Sequence, residues 1–439
     1  MIINLKSTCL LQKDSFSRIE QFLSLKNFFF LFVLINIFSC KPTQKAIATK
    51  LHEEKVVKVV HRNELKPKNS VVSNPKNLVF SVGADNFNGF SKFLKSKKVG
   101  VVTNQTGILS NNMNLVDFLV AKNVNLTKIF APEHGFRGTA DAGELIVDGK
   151  DVKTNLPIIS LYGDNKKPKS EQLNDVEVMI FDIQDVGARF YTYISTLHYV
   201  MEACAENNIS ILVLDRPNPN GTIVDGPVLE PEFSSFVGMH PIPVLHGMTI
   251  GEYAQMINGE KWLKNGIQCD LQIVACSAYA RDSFYSLRIK PSPNLPNDQA
   301  INLYASLCFF EGTNVSVGRG TDLQFQIFGS PFLPNDNFCF IPKPNFGAKN
   351  PPYNGIDCFG ENLSNIPKVE RLELKWLLKA YEDTKDKSKF FNSFFTKLAG
   401  TKKLQQQIES GMSAAEIRAS WETDLIAFKT MRKKYLIYP

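Results

Sequence analysis

Short segments that are apolar throughout, alternating with stretches of helical periodicity, constrain the fold of this chain more than any other feature. Helical patterns such as residues 114–123 and 193–208 separate these segments. The segments are VGVVTN (99–104), LTKIFA (126–131), PIISLY (157–162), VEVMIFDI (176–183), ISILVLD (209–215) and LQIVA (271–275). Strands without a polar face belong to a sheet that is covered on both sides. The sequence therefore predicts an α/β protein with a doubly wound parallel sheet.

The alternation ends near Asn302, and the rest of the chain predicts a second, smaller unit. Short β-like pieces (FQIFG, FCFIP) and loops rich in Pro, Gly and Asn precede helical patterns at 368–382 and 402–432. We therefore expect a doubly wound domain over residues 77–301 and a smaller C-terminal α/β or α+β subdomain over residues 302–439.

The residues before the sheet predict export and a tether. Residues 28–38 (FFFLFVLINIF) form an apolar run that Ser39 and Cys40 follow. Such a run is too short to span a bilayer core of roughly 30 Å as a helix, but it fits a signal peptide. A small residue before a cysteine resembles a lipoprotein cleavage box. We expect a signal peptide over residues 1–39, lipidation of Cys40, a tether over residues 40–76, and a membrane-anchored lipoprotein facing the periplasm or cell surface.

The charge distribution argues against a nucleic-acid partner. The formal net charge is +7, but residues 41–76 alone hold nine Lys and Arg against three Glu. The remaining surplus lies in the leader, so the body is close to neutral and lacks the basic stripe that backbone binding needs. The six cysteines after the tether form no CxxC pair and no cluster with histidine. We therefore expect no metal site.

Polar loops directly follow four of the predicted strands. Ligands of open α/β sheets bind beyond the carboxyl ends of the strands, so these loops predict an active cleft at one edge of the sheet. The loops are NQTG (104–107), PEHGFRG (132–138), DIQDVGAR (182–189) and DRPNPNG (215–221).

Long motifs in a fixed order carry a resemblance to a known family. They are NQTG, FAPEHGFRG, DIQDVGARFYTYISTL, LDRPNPNG, GPVLE, PIPVLHGMTIGE, PSPNLPN, FFEGTNVSVGRGT and YLIY, from about Val79 to Tyr438. Together they resemble the exo-β-N-acetylmuramidase family. The resemblance implies a Rossmann-like catalytic domain, a smaller C-terminal α/β domain and a cleft between them. It also implies release of terminal N-acetylmuramic acid from the non-reducing ends of peptidoglycan fragments, with no metal or nucleotide cofactor.

Glycoside hydrolysis usually needs two carboxyl groups that flank the bond. Glu133, in the APEHG loop, is our first candidate, and the resemblance places an active-site glutamate there. Glu311 is the second catalytic candidate, and Asp182 and Asp185 compete with it for the second role. In a substrate-assisted alternative, the 2-acetamido group attacks its own anomeric carbon. A carboxylate beside Asn104 or Asn218 would then orient that group.

N-acetylmuramic acid carries a lactyl carboxylate, which a forked guanidinium reads well. At least one of the arginines in the motif loops should bind it, although each is equally suited to a structural ion pair. Tyr191 and Tyr193 could pack against a sugar face or lie in the core, and His246 is expected to be structural. The substrate-binding candidates are Asn104, Gln105, His134, Arg137, Asp185, Arg189, Tyr191, Arg216, Asn218 and Arg319.

Three rival functions are weaker. A non-catalytic sugar-binding lipoprotein would keep the cleft and its aromatic residues but needs no carboxyl pair. A nucleotide-dependent oxidoreductase needs GxGxxG after the first strand, where this chain has NQTGIL. A serine or metal hydrolase lacks its GxSxG or HExxH motif in this sequence.

Overall fold

The structure, a computed structural model, describes residues 79–138, 148–335 and 338–439. The predicted signal peptide, the tether and the lipidation site Cys40 lie outside the described residues. In the described part of the chain, no helix is long and apolar enough to cross a membrane.

Seven strands form the main sheet, in the order β3-β4-β2-β1-β5-β6-β7. All neighbours pair in parallel except β3 and β4, which are antiparallel. The chain thus winds from β1 in one direction and returns to start the other half at β5, which is the topology of a doubly wound sheet. The strands are β1 (Val99–Thr103), β2 (Leu126–Ala131), β3 (Gly149–Lys150), β4 (Pro157–Ser160), β5 (Val178–Asp182), β6 (Ser210–Leu214) and β7 (Leu271–Val274).

Alternate side chains of the central strands enter two separate hydrophobic cores. In β5, Val178 and Ile180 join one core, whereas Met179 and Phe181 join the other. All five residues of β1 and of β5 are buried. This confirms the predicted sheet with both faces covered, because a strand has no solvent-facing side when each face carries a layer of helices.

The helices of the sheet region divide between the two faces. One core contains buried residues of α1 (Phe87–Leu94) and α2 (Leu115–Ala121). The other contains α4 (Tyr193–Glu206), α5 (Ile250–Gly259) and α6 (Asp298–Leu307). A short helix, α3 (Ser170–Leu173), precedes β5.

The C-terminal region packs on the α4 side of the sheet and shares its core. A three-stranded antiparallel sheet has the order β8-β10-β9. Buried residues from Phe309 to Phe428 belong to the same hydrophobic core as α4 and α5. The elements are β8 (Ile327–Ser330), β9 (Cys339–Phe340), β10 (Cys358–Asn362), α7 (Lys375–Asp383), α8 (Phe395–Ala399), α9 (Lys403–Glu409), α10 (Ala414–Ala419) and α11 (Glu422–Arg432).

Two helical predictions in this region are wrong in extent. The helix expected over 368–382 begins only at Lys375. The one expected over 402–432 is three helices, because Gly411 adopts a left-handed φ of 75° and Ser413 starts a new helix by capping. The predicted domain boundary at residue 302 falls inside α6 and stays a prediction.

Candidate active site

Between the carboxyl ends of β1 and β5, where a doubly wound sheet usually binds its ligand, side chains fill the crevice. Arg216 donates from Nε to Asp182 Oδ1 at 2.6 Å and from Nη2 to Oδ2 at 2.9 Å. Both side chains are buried. Burial raises the pKa of Asp182, and the Arg216 charge opposes that shift. The cavity beside Arg216 measures only about 20 Å³.

The structure does not bring Asp182 to Glu133. One cavity is lined by Glu133, His134, Tyr191, Glu311 and Arg319, and we name it the Glu133 pocket. Asp182 is absent from its lining, and both carboxylate oxygens of Asp182 accept hydrogen bonds from Arg216. The prediction that Asp182 supplies a catalytic carboxylate, and that Arg216 binds substrate, is therefore not supported by the geometry. Both side chains instead join the ends of β5 and β6.

Arg189 and Arg137 also have partners elsewhere. The fully buried Arg189 donates to the carbonyl oxygens of Pro227, Ile242, Leu398 and Ala399 at 2.7–2.8 Å. Burial lowers the pKa of Arg189 to about 9. Neither arginine lines the Glu133 pocket, so their predicted role in substrate binding is not supported.

Arg137 lies in an acidic cluster outside the pocket. It forms a two-pronged pair with Asp151, at 3.0 and 2.9 Å, and contacts Asp117 at 3.3 Å. Its guanidinium lies over the ring of Phe136, 4.4 Å from the centroid. The pairing fixes the APEHGFRG segment against α2.

Three further predicted residues, which follow β1, β5 and β6, lie outside the pocket lining. Asn218 donates to the Met248 carbonyl at 2.9 Å, and Gln105 donates to the Lys290 carbonyl at 3.2 Å. Burial raises the pKa of Asp185 to about 7. None of these three residues lines the Glu133 pocket, so their predicted contact with substrate is not supported.

Asn104 is one step from the pocket. Its Nδ2 donates to the hydroxyl of Tyr193 at 2.9 Å, and its Oδ1 accepts from the Thr106 backbone N–H at 2.9 Å. Because Tyr193 lines the pocket, Asn104 supports the wall and does not itself line it.

Five predicted site residues do come together around one cavity of about 150 Å³. The cavity lies where the sheet domain meets the C-terminal region, and it contains two of the predicted carboxyl groups. These predicted residues are Glu133, His134, Tyr191, Glu311 and Arg319.

The loop after β2 presents Glu133 in a constrained turn. His134 adopts φ of 71° and Gly135 φ of 74°, so two successive residues are left-handed. A non-glycine residue in this region is uncommon and is enriched at functional sites. Thr192, the residue before α4, donates its hydroxyl to Glu133 Oε2 at 3.4 Å. The N-terminus of α4 thus lies beside the carboxyl group and favours negative charge there.

Glu311 enters the pocket from the C-terminal region, in a 3₁₀ turn directly after α6. Arg319 donates its Nε to Glu311 Oε1 at 2.6 Å, and Cys308 contacts Oε2 through its thiol at 3.6 Å. The Arg319 guanidinium also lies 5.3 Å from the ring centroid of Phe325. Among the residues that the structure describes, no acceptor is found for its two terminal nitrogens, so these donors remain available to a ligand.

Aromatic rings form another wall. Tyr191 packs edge-on against Tyr193 at 4.9 Å and against Tyr304 at 5.8 Å between centroids. The Tyr191 hydroxyl donates to the Pro291 carbonyl at 2.7 Å. Burial raises the pKa of Tyr193, and the Glu133 charge raises it further. These phenols therefore stay neutral.

Several residues of the site were not selected from the sequence. Thr192, Ser292 and Asn294 line the pocket, although the motifs that contain them were recognised. Tyr162 lies beside Glu133 and interacts with its carboxyl group, but it was assigned to the end of a strand. Applying the rule for polar residues after strands to β4, as to its neighbours, would have found it.

No group of three or more His, Cys, Asp or Glu side chains that could hold a metal occurs within residues 79–138, 148–335 and 338–439. His246 is buried outside the pocket and accepts the Met248 backbone N–H at 3.3 Å through Nδ1.

A doubly wound α/β protein whose pocket contains two carboxyl groups has the side chains that glycosidases use for hydrolysis. Family profiles described as exo-beta-N-acetylmuramidase NamZ, N-terminal and C-terminal, match residues 99–299 and 302–438. The chain belongs to the exo-beta-N-acetylmuramidase NamZ family, which confirms the resemblance read from its motifs.

Known relatives agree with this assignment. The chain is 40% identical over 371 residues to the peptidoglycan beta-N-acetylmuramidase NamZ of Bacillus subtilis, covering 80% of this chain and 89% of that protein. Two DUF1343 family proteins from Bacteroides fragilis have similar crystal structures. They are 44% and 30% identical, with TM-scores of 0.77 and 0.70, and each comparison covers 82% of this chain and 99% of the other.

Proposed function

We propose that this chain is an exo-acting glycoside hydrolase that releases terminal N-acetylmuramic acid from the non-reducing ends of peptidoglycan fragments. The observation that carries the proposal is that Glu133 and Glu311 line one pocket, from two different parts of the chain. The relative from Bacillus subtilis, a peptidoglycan beta-N-acetylmuramidase that is 40% identical, supports the substrate class.

The two carboxyl groups suit different tasks. Glu133, beside the start of α4 and the Thr192 hydroxyl, transfers the proton in this proposal. Glu311 is paired with Arg319 and stabilises the positive charge that develops at the anomeric carbon, or orients the 2-acetamido group. The cavity of about 150 Å³ is smaller than drug-sized sites of roughly 300–1,000 Å³, which fits a single terminal sugar.

Arg319 is the candidate for the lactyl carboxylate of the sugar. Arg137, Arg189 and Arg216 are paired elsewhere, whereas Arg319 lines the pocket and keeps two terminal nitrogens for a ligand. A guanidinium binds a carboxylate with two parallel hydrogen bonds, which would select N-acetylmuramic acid over N-acetylglucosamine.

The test is hydrolysis of a chromogenic N-acetylmuramide and of the matching N-acetylglucosaminide. We expect release from the first substrate only, and a loss of at least 100-fold in kcat for Glu133→Gln. Release from neither substrate by the unaltered protein would overturn the enzyme proposal and favour a sugar-binding lipoprotein. Full activity of Glu133→Gln would remove Glu133 from the mechanism.

We further propose that the chain is exported and anchored through a lipid on Cys40. Support comes from the apolar run at residues 28–38 and the Ser39-Cys40 pair that follows it. Metabolic labelling with an alkyne fatty acid tests this: the native chain should take up the label in the membrane fraction, and Cys40→Ala should not. Equal labelling of both proteins would contradict the anchor.

A further inference from the structure

Tyr162 lies next to Glu133 because of the register of two neighbouring strands. In the parallel pair of β2 and β4, Ala131 is opposite Ser160. Glu133 and Tyr162 each lie two residues beyond that pair. The backbone N–H of Leu161 donates to the Ala131 carbonyl at 2.8 Å, which extends the alignment past the end of β4.

The Tyr162 hydroxyl lies beside the Glu133 carboxyl group, close enough for the carboxylate to interact with it. Burial, together with the charge of Glu133, raises the pKa of Tyr162 to about 12. The phenol is therefore protonated at neutral pH and remains a donor. Tyr162 is not part of the pocket lining, so it acts on the pocket through its neighbour Glu133.

Other groups that face Glu133 belong to its own loop, to α4 and to the C-terminal region. His134 belongs to the same loop, Tyr193 approaches from α4, and Glu311 with Arg319 faces the pocket from the C-terminal region. The Tyr193 hydroxyl contacts the Glu133 backbone carbonyl, at 3.5 Å. The Thr192 hydroxyl donates to the carboxyl group, at 3.4 Å.

We propose that Tyr162 is a positioning residue of the active site: its hydroxyl holds the Glu133 carboxyl group in its reactive orientation and stabilises the ionised form. The inference rests on the proposed function, because it assigns Tyr162 a task in proton transfer by Glu133. Two hydroxyls from different elements, Tyr162 after β4 and Thr192 before α4, fix the carboxyl group better than one.

The test compares Tyr162→Phe with Tyr435→Phe in the purified full-length protein. Tyr435 is a matched control, since its hydroxyl donates to Glu260 at 2.7 Å outside the pocket and its pKa is also raised to about 12. Hydrolysis of a chromogenic N-acetylmuramide is measured across pH, and thermal unfolding reports stability.

For Tyr162→Phe we expect kcat to fall about tenfold with KM nearly unchanged, since a hydrogen bond to a charged group is lost. One limb of the pH profile of kcat should move to higher pH, because an ionised carboxylate in the pocket loses a donor. Tyr435→Phe should show neither change. A purely structural role of Tyr162 would lower the unfolding temperature without moving the limb.

Site-specific 3-fluorotyrosine at position 162 guards against misfolding of the phenylalanine variant. It keeps the shape of tyrosine but is a stronger donor, so the same limb should move to lower pH. If both Tyr162 variants keep the native pH profile and kcat, the inference is overturned. If the unaltered protein hydrolyses no N-acetylmuramide, the proposed function fails first, and the two failures are distinguishable.

Discussion

In the proposed mechanism, the Arg319 side chain both pairs with Glu311 and binds the lactyl carboxylate of the sugar. Its Nε is bound to Glu311 at 2.6 Å, and its terminal nitrogens are available to a ligand. Arg319→Lys keeps a positive charge near Glu311 but removes the planar fork. We expect the Kd for N-acetylmuramic acid to rise about tenfold or more, because a charged hydrogen-bond pair is lost, while the Kd for N-acetylglucosamine stays nearly constant. Titration calorimetry with both sugars measures this.

An equal change in both Kd values would mean that Arg319 shapes the pocket without reading the lactyl group. Arg371→Lys is a suitable control. Its guanidinium also pairs with a glutamate, Glu373, at 2.6 Å, but the pair lies outside the Glu133 pocket.

Asp185 makes stability depend on pH. Burial raises its pKa to about 7, against about 3.9 in an unfolded chain. The folded state therefore holds a proton that the unfolded state releases. The resulting stability is fully present below about pH 4 and is lost as pH rises through about 7. Asp185→Asn mimics the protonated form and should flatten this part of the curve.

Urea unfolding at pH 5 and pH 8 checks the prediction. We expect Asp185→Asn to be more stable than the native chain by about 2–4 kcal/mol at pH 8, and the gain to shrink at pH 5. Asp164→Asn, at an exposed position, controls for the loss of a charge. A gain of the same size at both pH values would show that the effect is not due to ionisation of Asp185.

Strands were the elements best predicted from sequence, because a short segment that is apolar throughout is typical of a strand buried on both faces. The six apolar segments contain β1, β2, β4, β5, β6 and β7, whereas the two-residue β3 is too short to give a pattern. Helix ends were predicted less well. The break between α9 and α10 had a local signal in Gly411 and in the Ser413–Glu416 capping box, but continuous amphipathicity concealed it.

Site residues were predictable as a group but not one by one. Placement after a strand marked Glu133, which lines the pocket, yet the same rule selected Asp182 and Arg216, which neutralise each other. Arg189 is bound by four backbone carbonyls. Such partners are fixed by tertiary structure, and a sequence pattern does not reveal them.

The Asp182–Arg216 pair connects the end of β5 to the loop after β6, and it provides an element-scale prediction. Asp182→Ala leaves a buried arginine without its partner and should destabilise the fold by about 3–5 kcal/mol. The double variant Asp182→Leu with Arg216→Met removes both charges and should regain most of that loss. Where folded, the double variant should retain kcat, since neither residue lines the Glu133 pocket.

Urea unfolding of the single and double variants, with kcat on the chromogenic N-acetylmuramide, measures the coupling between the two residues. Loss of kcat by more than 100-fold in a folded double variant would return Asp182 to the list of catalytic candidates. Additive losses of stability would show that the two side chains do not act as a pair.

The pocket exists only because the sheet domain and the C-terminal region share one core. Glu133 follows β2 and Glu311 follows α6. The proposed mechanism requires both to keep their relative position, so that proton transfer and charge stabilisation act on one bond. A displacement of about 1 Å between catalytic groups can cost about 100-fold in rate. Contacts that bind the two regions together therefore influence activity without touching substrate.

Arg189 makes such contacts with both regions. It joins Pro227 and Ile242 in the sheet domain to Leu398 and Ala399 at the end of α8. Arg189→Met leaves four buried carbonyl groups without this donor, so we expect a loss of about 3–5 kcal/mol in unfolding free energy. Activity should then fall steeply with temperature, well below the unfolding midpoint. Arg371→Met, at an exposed surface pair, should change stability by less than about 1 kcal/mol. If Arg189→Met unfolds earlier but keeps the native temperature profile of kcat up to that point, the carbonyl contacts stabilise the fold without aligning the two halves of the pocket.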